Sequence, residues 1–310
     1  MYVSTGATIR DREGRLPLHW ACCHRYSPTT RITSPQGNGG DTSSSSLDAH
    51  AEPMVSALLQ VYPEAATKRE HTYGFLPLHI ACASRASLPV LQRLIDAYPE
   101  ATRKQDKNGS LPLHIACRAN TSESTLKLLL RAFPDAAQFQ DTDCRLPLHW
   151  ACHVGASERK ITALLRAFSE GAQLSEAKYG YLPLHVACKR GASEAVIASL
   201  IAAFPEGSRV RDNVGNLPIH IACGTNNATE GVIGLLLLAF PESLERTDQH
   251  GCTPLMIAEE NGNHPNKYAI TGLLQSQPSG WRDLTFPIRL KFLELDCPNL
   301  EQNLMAAIQR

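Results

Sequence analysis

The chain has 310 residues, and its 30 lysines and arginines are balanced by 30 aspartates and glutamates. A chain without net charge has no general field that would attract nucleic acid or an anionic membrane, so we expect partners of neither kind. The strongest hydrophobic stretch, residues 231–240, is about half as long as a membrane helix, and residues 1–10 hold no apolar run typical of a secretory signal. The sequence therefore predicts a soluble, intracellular protein of the cytoplasm or nucleus, with no membrane insertion.

One short segment recurs six times along the chain with the pattern Leu-Pro-Leu/Ile-His-x-Ala-Cys. Its histidines are separated by 60, 35, 35, 36 and 35 residues. A fixed period of this size indicates a solenoid, in which similar units stack on their neighbours. Such arrays commonly serve as binding surfaces, which makes an enzyme less expected. The six motif histidines are His19, His79, His114, His149, His185 and His220.

The third unit, residues 106–133, shows the elements of one repeat most clearly. Residues 106–109 have the composition of a turn, because Asp and Asn bond their own backbone and Gly permits a positive φ. Leu111-Pro112 then begins a short helix, since proline is favoured in the first helical turn. A second helix is predicted over residues 122–133, where apolar residues share one face, and Pro134 ends it.

This order of turn, motif and second helix resembles the ankyrin repeat, over about residues 7–274. The threonine that usually begins the family's motif is leucine in these six units, and the period exceeds the family's about 33 residues. The resemblance implies an all-α solenoid of stacked helix-turn-helix repeats with projecting hairpin fingers. It also implies that partners contact the concave face and the fingers. Each motif histidine would then tie its own turn to the adjacent repeat through ring hydrogen bonds.

The array is predicted to span residues 1–274 in about seven units. In the first unit, residues 25–50 are rich in serine and glycine and cannot bury enough apolar surface to order themselves, so we predict a mobile insertion. The seventh motif, residues 253–259, has Met in place of His and Glu in place of Cys, as terminal repeats often do. Residues 275–310 are predicted to form a C-terminal helical cap, with a partner-binding tail as the alternative.

Each motif places His and Cys three positions apart on one helical face, which raises the question of catalysis or metal binding. A catalytic dyad needs one orienting group and one cleft, whereas the chain offers near-identical pairs in a row. Zinc needs four ligands at about 2.0 to 2.3 Å, and neighbouring helices pack about 8 to 10 Å apart. We therefore predict structural histidines, reduced cysteines, and no catalytic residue, metal or cofactor.

Two fingers differ from the others because each has one extra residue and two aromatic residues. Exposed aromatic side chains are enriched in binding hot spots, so these fingers are predicted to contact a partner. The alternative is that the rings pack against neighbouring fingers. Basic residues on the short helices would add a cationic strip, unless they form an ordinary solvated face. The predicted partner-binding residues are Tyr73, Phe75, Tyr179, Tyr181, Arg118, Lys189 and Arg190.

The sequence thus favours a monomeric, non-catalytic scaffold or adaptor that binds other proteins through its concave face and fingers. The alternative is a regulatory or substrate-recruiting part of an enzyme complex, whose catalytic domain or subunit lies elsewhere. The sequence does not identify the partner, because a fold gives the shape of a surface and its side chains give the function.

Overall fold

The structure is a computed structural model that describes residues 6–23, 45–262 and 265–275, with the side chains of 45–50 left out. The chain divides into two compact units, Met1–Thr142 and Asp143–Arg310. Within the described ranges, each unit is built from α-helices and short 3₁₀ helices, without a β-strand. No helix in these ranges is long and apolar enough to cross a membrane.

The first unit contains repeats one to three, each of which pairs a short α-helix with a longer one. The α-helices are α1 (Pro17–Ala21), α2 (Ser45–Val61), α3 (Pro77–Ala83), α4 (Leu88–Ala97), α5 (Pro112–Arg118) and α6 (Glu123–Ala132). A 3₁₀ helix follows each long helix, at Pro63–Thr67, Pro99–Arg103 and Pro134–Gln138. Helices α3 and α5 pack on each other, and each also packs on the long helix of its own repeat.

The second unit continues the same plan through repeats four to seven. Its α-helices are α7 (Pro147–His153), α8 (Glu158–Ala167), α9 (Pro183–Arg190), α10 (Glu194–Ala203), α11 (Pro218–Gly224), α12 (Glu230–Ala239), α13 (Pro254–Glu260) and α14 (Lys267–Gln275). Its 3₁₀ helices are Ser169–Gln173, Pro205–Arg209 and Pro241–Glu245. Helix α9 packs against both α7 and α11, and α11 packs against α13.

The third repeat shows why these helices begin and end where they do. Leu111 has an extended backbone, with φ −78° and ψ 162°, and Pro112 is the first helical residue of α5. The hydroxyl of Ser122 accepts a hydrogen bond from the amide of Thr125 at 3.1 Å, which caps the start of α6. Phe133 leaves the helical region because Pro134 follows it, with φ −146° and ψ 89°. The local sequence therefore determines both helix boundaries.

The long helix of the first repeat departs from the prediction. Helix α2 begins at Ser45, so the last six residues of the predicted mobile insertion 25–50 are helical. Serine is also favoured where a helix starts, so a serine-rich composition does not exclude a helix start there. Residues 25–44 of that insertion lie outside the described residues. The same holds for residues 276–310 of the predicted cap.

Candidate protein-binding surface

Each finger is held by a carboxylate at its base, and the third repeat shows the common form. Asp106 Oδ1 accepts hydrogen bonds from the backbone amides of Asn108 and Ser110, both at 2.8 Å. The amide of Asp106 donates to the carbonyl of Ser110 at 2.9 Å, which closes the hairpin. Gly109 takes a φ of 72°, a left-handed conformation that glycine adopts at little cost.

The two aromatic fingers have glutamate where the others have aspartate. In the first finger, the carboxylate of Glu70 accepts from the amides of Thr72 at 2.7 Å, Tyr73 at 2.6 Å and Phe75 at 2.9 Å. In the second finger, Glu176 accepts from the amide of Tyr179 at 2.7 Å. Because glutamate has one more methylene than aspartate, its carboxylate reaches the amides of a turn that is one residue longer. This exchange is a sequence signal for the longer finger.

The fingers are joined to the next repeat in the same unit by backbone hydrogen bonds. In the first unit the amide of Lys107 donates to the carbonyl of Tyr73 at 2.9 Å. In the second unit the amide of Asn213 donates to the carbonyl of Tyr179, also at 2.9 Å. The backbone at the tip of each aromatic finger is thus hydrogen-bonded to the finger of the next repeat.

The motif histidines lie under the fingers and form two hydrogen bonds through the ring. In His79, Nδ1 accepts from the amide of Leu76 at 3.2 Å, and Nε2 lies 3.3 Å from the carbonyl oxygen of Ser110 in the next repeat. A ring that accepts at Nδ1 carries its proton on Nε2, so Nε2 donates to that carbonyl. The corresponding Nε2 contacts are His19 to Lys68, His149 to Tyr181, His185 to Val210 and His220 to Arg246. The Nδ1 of His114 accepts from Leu111 at 3.1 Å.

Burial favours the neutral form of motif histidines such as His79 and His185 and the protonated form of motif thiols such as Cys188 and Cys223. It lowers the pKa of His79 to about 3 and that of His185 to about 4. It raises the pKa of the Cys223 thiol to about 12, and that of Cys188 further still. A buried neutral imidazole and a buried protonated thiol have neither the charge nor the access that nucleophilic catalysis requires. Among the described residues, no three potential ligands of His, Cys, Asp or Glu come together as a metal site would require.

The aromatic finger of the first unit differs from the expectation at Phe75. Its side chain is 5% exposed, and its ring stacks on His79 with centroids 5.7 Å apart. Tyr73 is half-buried and stacks on Phe75 at 5.3 Å. Phe75 therefore packs as part of the repeat and does not offer contact area to a partner. Arg118 is half-buried too, and the carboxylates of Asp106 and Asp141 act on it, although burial still lowers its pKa.

The aromatic finger of the second unit brings four of the predicted residues together. The rings of Tyr179 and Tyr181 stack with centroids 5.2 Å apart, and Tyr179 is 39% exposed. The Lys189 ammonium lies 5.2 Å from the Tyr179 ring centroid and 4.8 Å from that of Tyr181. It also donates to the Tyr181 hydroxyl at 3.1 Å. Arg190, next on α9, is exposed and donates to Nε2 of His153.

The other wall of this cluster comes from the preceding repeat, and its residues were not among those predicted from the sequence. The guanidinium of Arg145 lies 5.1 Å from the Trp150 ring centroid, and Trp150 meets His153 edge-on at 5.8 Å. Together with the tyrosines these side chains line a cleft of about 270 Å³. A signal was present in the sequence. Both aromatic fingers are preceded by a motif that carries Arg before the first Leu and Trp after the His, as in Arg15 and Trp20.

Comparison with known protein families identifies the repeats. The family model described as "Ankyrin repeats (3 copies)" matches the chain at residues 78–174, 113–201 and 184–277, which together exceed half of its length. A search of curated proteins found no match.

Solved structures show the same fold at low sequence identity. The ankyrin repeat domain of human ASB11 is 18% identical, with a TM-score of 0.62, and the match covers 85% of this chain and 100% of that one. The ankyrin repeat domain of Bcl-3, described as a unique member of the IkappaB protein family, is 19% identical, with a TM-score of 0.57, over 86% of this chain and 100% of that one.

A third match is a chain from the complex of the predatory endopeptidase Bd0816 of Bdellovibrio bacteriovorus with immunity protein Bd3460. It is 17% identical, with a TM-score of 0.53, and the match covers 63% of this chain and 96% of that one. These comparisons confirm the predicted fold class, an all-α solenoid of ankyrin-type repeats.

Proposed function

Since this chain belongs to the ankyrin-repeat family, we propose that it is a non-catalytic scaffold whose partner protein contacts the aromatic finger of the second unit. Repeats of this family are in general protein–protein interaction modules. The complex of Bd0816 with Bd3460, which contains a chain of similar fold, also joins two proteins. Both points support a protein as the class of partner.

The observation that carries this proposal is the exposed ring of Tyr179. Tyr179 is 39% exposed, although the backbone of its finger is hydrogen-bonded on both sides. The amide of Ala177 donates to the carbonyl of Asp143, and the carbonyl of Tyr179 accepts from the amide of Asn213. A rigid aromatic side chain loses little conformational entropy when a partner covers it, so its burial contributes fully to binding. We define the binding surface as the finger residues 176–181 together with helix α9.

The test is capture of partner proteins from a cell extract, identified by mass spectrometry. Replacing Tyr179 and Tyr181 by Ala is expected to remove most of the captured proteins while the helical circular dichroism stays unchanged. Tyr268→Ala is the matched control, because this tyrosine of α14 is 89% exposed and lies outside the binding surface. Undiminished capture by the double variant, or equal loss in the control, would reject the proposed surface.

A further inference from the structure

The cleft in the second unit is too small for a folded element of a partner. Its volume of about 270 Å³ falls just below the range of about 300 to 1,000 Å³ that ligand pockets occupy. Tyr179 and Tyr181 line one side, and Arg145 and Trp150 line another. Val186 of α9 adds an apolar side chain. A cleft of this size and lining fits one or two side chains from an extended segment.

Positive charge is the second property of this cleft. Lys178, Lys189 and Arg190 are all exposed, and within the described residues none of them has a carboxylate at ion-pair distance. Their contacts are aromatic rings and an imidazole: Lys178 lies 4.9 Å from the Tyr179 ring centroid, Lys189 lies over the tyrosines, and Arg190 contacts His153.

Two carboxylates of the adjacent fingers, those of Glu176 and Asp143, are already engaged with Arg145. Glu176 is 4% exposed, accepts hydrogen bonds from finger amides, and lies 3.6 Å from the guanidinium of Arg145. Asp143 lies 3.0 Å from the same guanidinium. The pKa of His153 is lowered by burial first and then by the nearby cations Arg190, Arg145 and Lys189. Within the part of the chain that the structure describes, Lys178, Lys189 and Arg190 therefore have no carboxylate as an ion-pair partner.

The first unit provides an internal contrast. There the motif cysteine, Cys82, is followed by Ala83 and Ser84, whereas Cys188 is followed by Lys189 and Arg190. The Arg–Trp pair and the glutamate-based finger occur in both units, but in the repeat that carries this finger only the second unit has two cations directly after the motif cysteine. Lys189 and Arg190 are thus not needed for the Arg–Trp pair and the glutamate-based finger to form, because both features occur in the first unit without them.

We propose that the cleft binds an acidic segment of the partner protein, with an Asp or Glu carboxylate between Lys189 and Arg190 and an adjacent apolar side chain against Trp150 and Tyr179. This deepens the proposed function and rests on it. Arginine pairs with carboxylates through parallel hydrogen bonds, and lysine adds a point charge, so the two side chains together favour a carboxylate over a neutral amide.

The experiment selects ligands from a phage-displayed library of random 12-residue peptides on the full chain. The selected peptides are expected to be enriched in Asp and Glu relative to the library. The tightest binder is then synthesised with its acidic residues intact and with Gln or Asn in their place, and binding is measured by fluorescence anisotropy. We expect the amide version to bind about tenfold more weakly.

The variant that tests the assignment is Lys189→Ala combined with Arg190→Ala. It should lower the affinity for the acidic peptide about tenfold and should bind the acidic and amide versions almost equally. The matched control is Arg159→Ala combined with Arg166→Ala, which removes two exposed positive charges from α8 of the same unit and should leave the affinity unchanged.

Four outcomes would overturn the inference. In the selection, these are peptides no more acidic than the library or no selected peptide at all. In the binding assay, they are equal weakening by the α8 control variant and tighter binding of a 12-nucleotide single-stranded DNA than of the acidic peptide. If the tyrosine variant abolishes protein capture but Lys189→Ala with Arg190→Ala changes neither peptide nor protein binding, the proposed function stands and this inference fails.

Discussion

In the first unit the second ring of the aromatic finger is Phe75, which lies buried on His79, whereas in the second unit it is Tyr181, which stays half-buried and contacts Lys189. Both fingers have the same glutamate base, the same ring stacking and the same histidine beneath. The main difference at this ring is one hydroxyl, which needs a polar partner when it is covered. At this ring the two fingers thus differ by one oxygen atom, and the ring is buried in the first unit and half-buried in the second.

The largest expected effect is a loss of folding stability at low pH, and it tests the neutral histidine that lies beneath both fingers. The folded-state pKa values of about 3 for His79 and about 4 for His185 lie below the about 6.5 of an unfolded chain. The unfolded state therefore takes up protons first as the pH falls. Stability is full above about pH 6.5 and is lost toward pH 4, by about 1.4 kcal/mol per pH unit for each buried histidine.

Urea unfolding followed by circular dichroism from pH 7 to pH 5 measures this loss. His79→Ala should reduce stability at pH 7 and make the midpoint less dependent on pH, because the group that titrates is gone. His250→Gln is the control, since this side chain is exposed in a turn. A midpoint that stays constant over this range would contradict the neutral, buried histidines.

The second prediction separates the two fingers directly. Phe75→Ala should lower the free energy of unfolding by about 3 kcal/mol, because it removes a buried ring and leaves a cavity. Tyr181→Ala should cost about 1 kcal/mol, since that ring is half-exposed. Both variants are compared with the parent chain by urea unfolding at pH 7. Losses of equal size would show that the two rings are equally buried.

A third prediction concerns the glutamates that hold the longer turns. Glu70→Asp should destabilise the first unit by about 1 to 2 kcal/mol, because the shorter side chain cannot reach the amides of Tyr73 and Phe75 together. Glu100→Asp serves as the control, since Glu100 is exposed in a 3₁₀ helix. The thermal midpoint of each variant reports the difference. A midpoint equal to that of the parent would indicate that aspartate supports the longer finger as well.

The smallest effect is expected from the turn that precedes the second aromatic finger. Cys144 has a φ of 58°, whereas Gly14 at the same place in the first repeat has 75°. A left-handed conformation costs a non-glycine residue about 1 to 2 kcal/mol, so Cys144→Gly should raise the stability by about 1 kcal/mol. Cys252→Gly is the reference substitution outside the left-handed region and should lower it. Thermal unfolding that shows the same sign for both variants would contradict the strain at Cys144.

The repeat plan was predictable from the sequence because its causes are local. Pro112 after Leu111 begins a helix, Pro134 after Phe133 ends one, and the period places each histidine at the same point of its unit. The burial of Phe75 was not predictable in this way. The missing hydroxyl is visible in the sequence, but whether the ring turns inward also depends on its fit against His79, which only the contacts show.

The residues of the proposed binding surface were predicted only in part, for a related reason. Tyr179, Tyr181, Lys189 and Arg190 stand close together in the sequence, and their grouping follows from one finger and one helix. Arg145 and the residues after it belong to the preceding repeat, so their part in the cleft depends on how two repeats stack. The recurrence of Arg and Trp before each longer finger was visible in the sequence, but only the contacts in the structure show that both side chains line the cleft.

The row of motif cysteines gives the protein a set of internal reporters. The six buried motif thiols, placed one to a repeat, are Cys22, Cys82, Cys117, Cys152, Cys188 and Cys223. A protonated, enclosed thiol reacts with an alkylating reagent only after its own repeat has opened. Peptide mapping would assign each alkylation to a single cysteine over time. The order of labelling would therefore give the order in which the repeats unfold, without introducing any foreign residue.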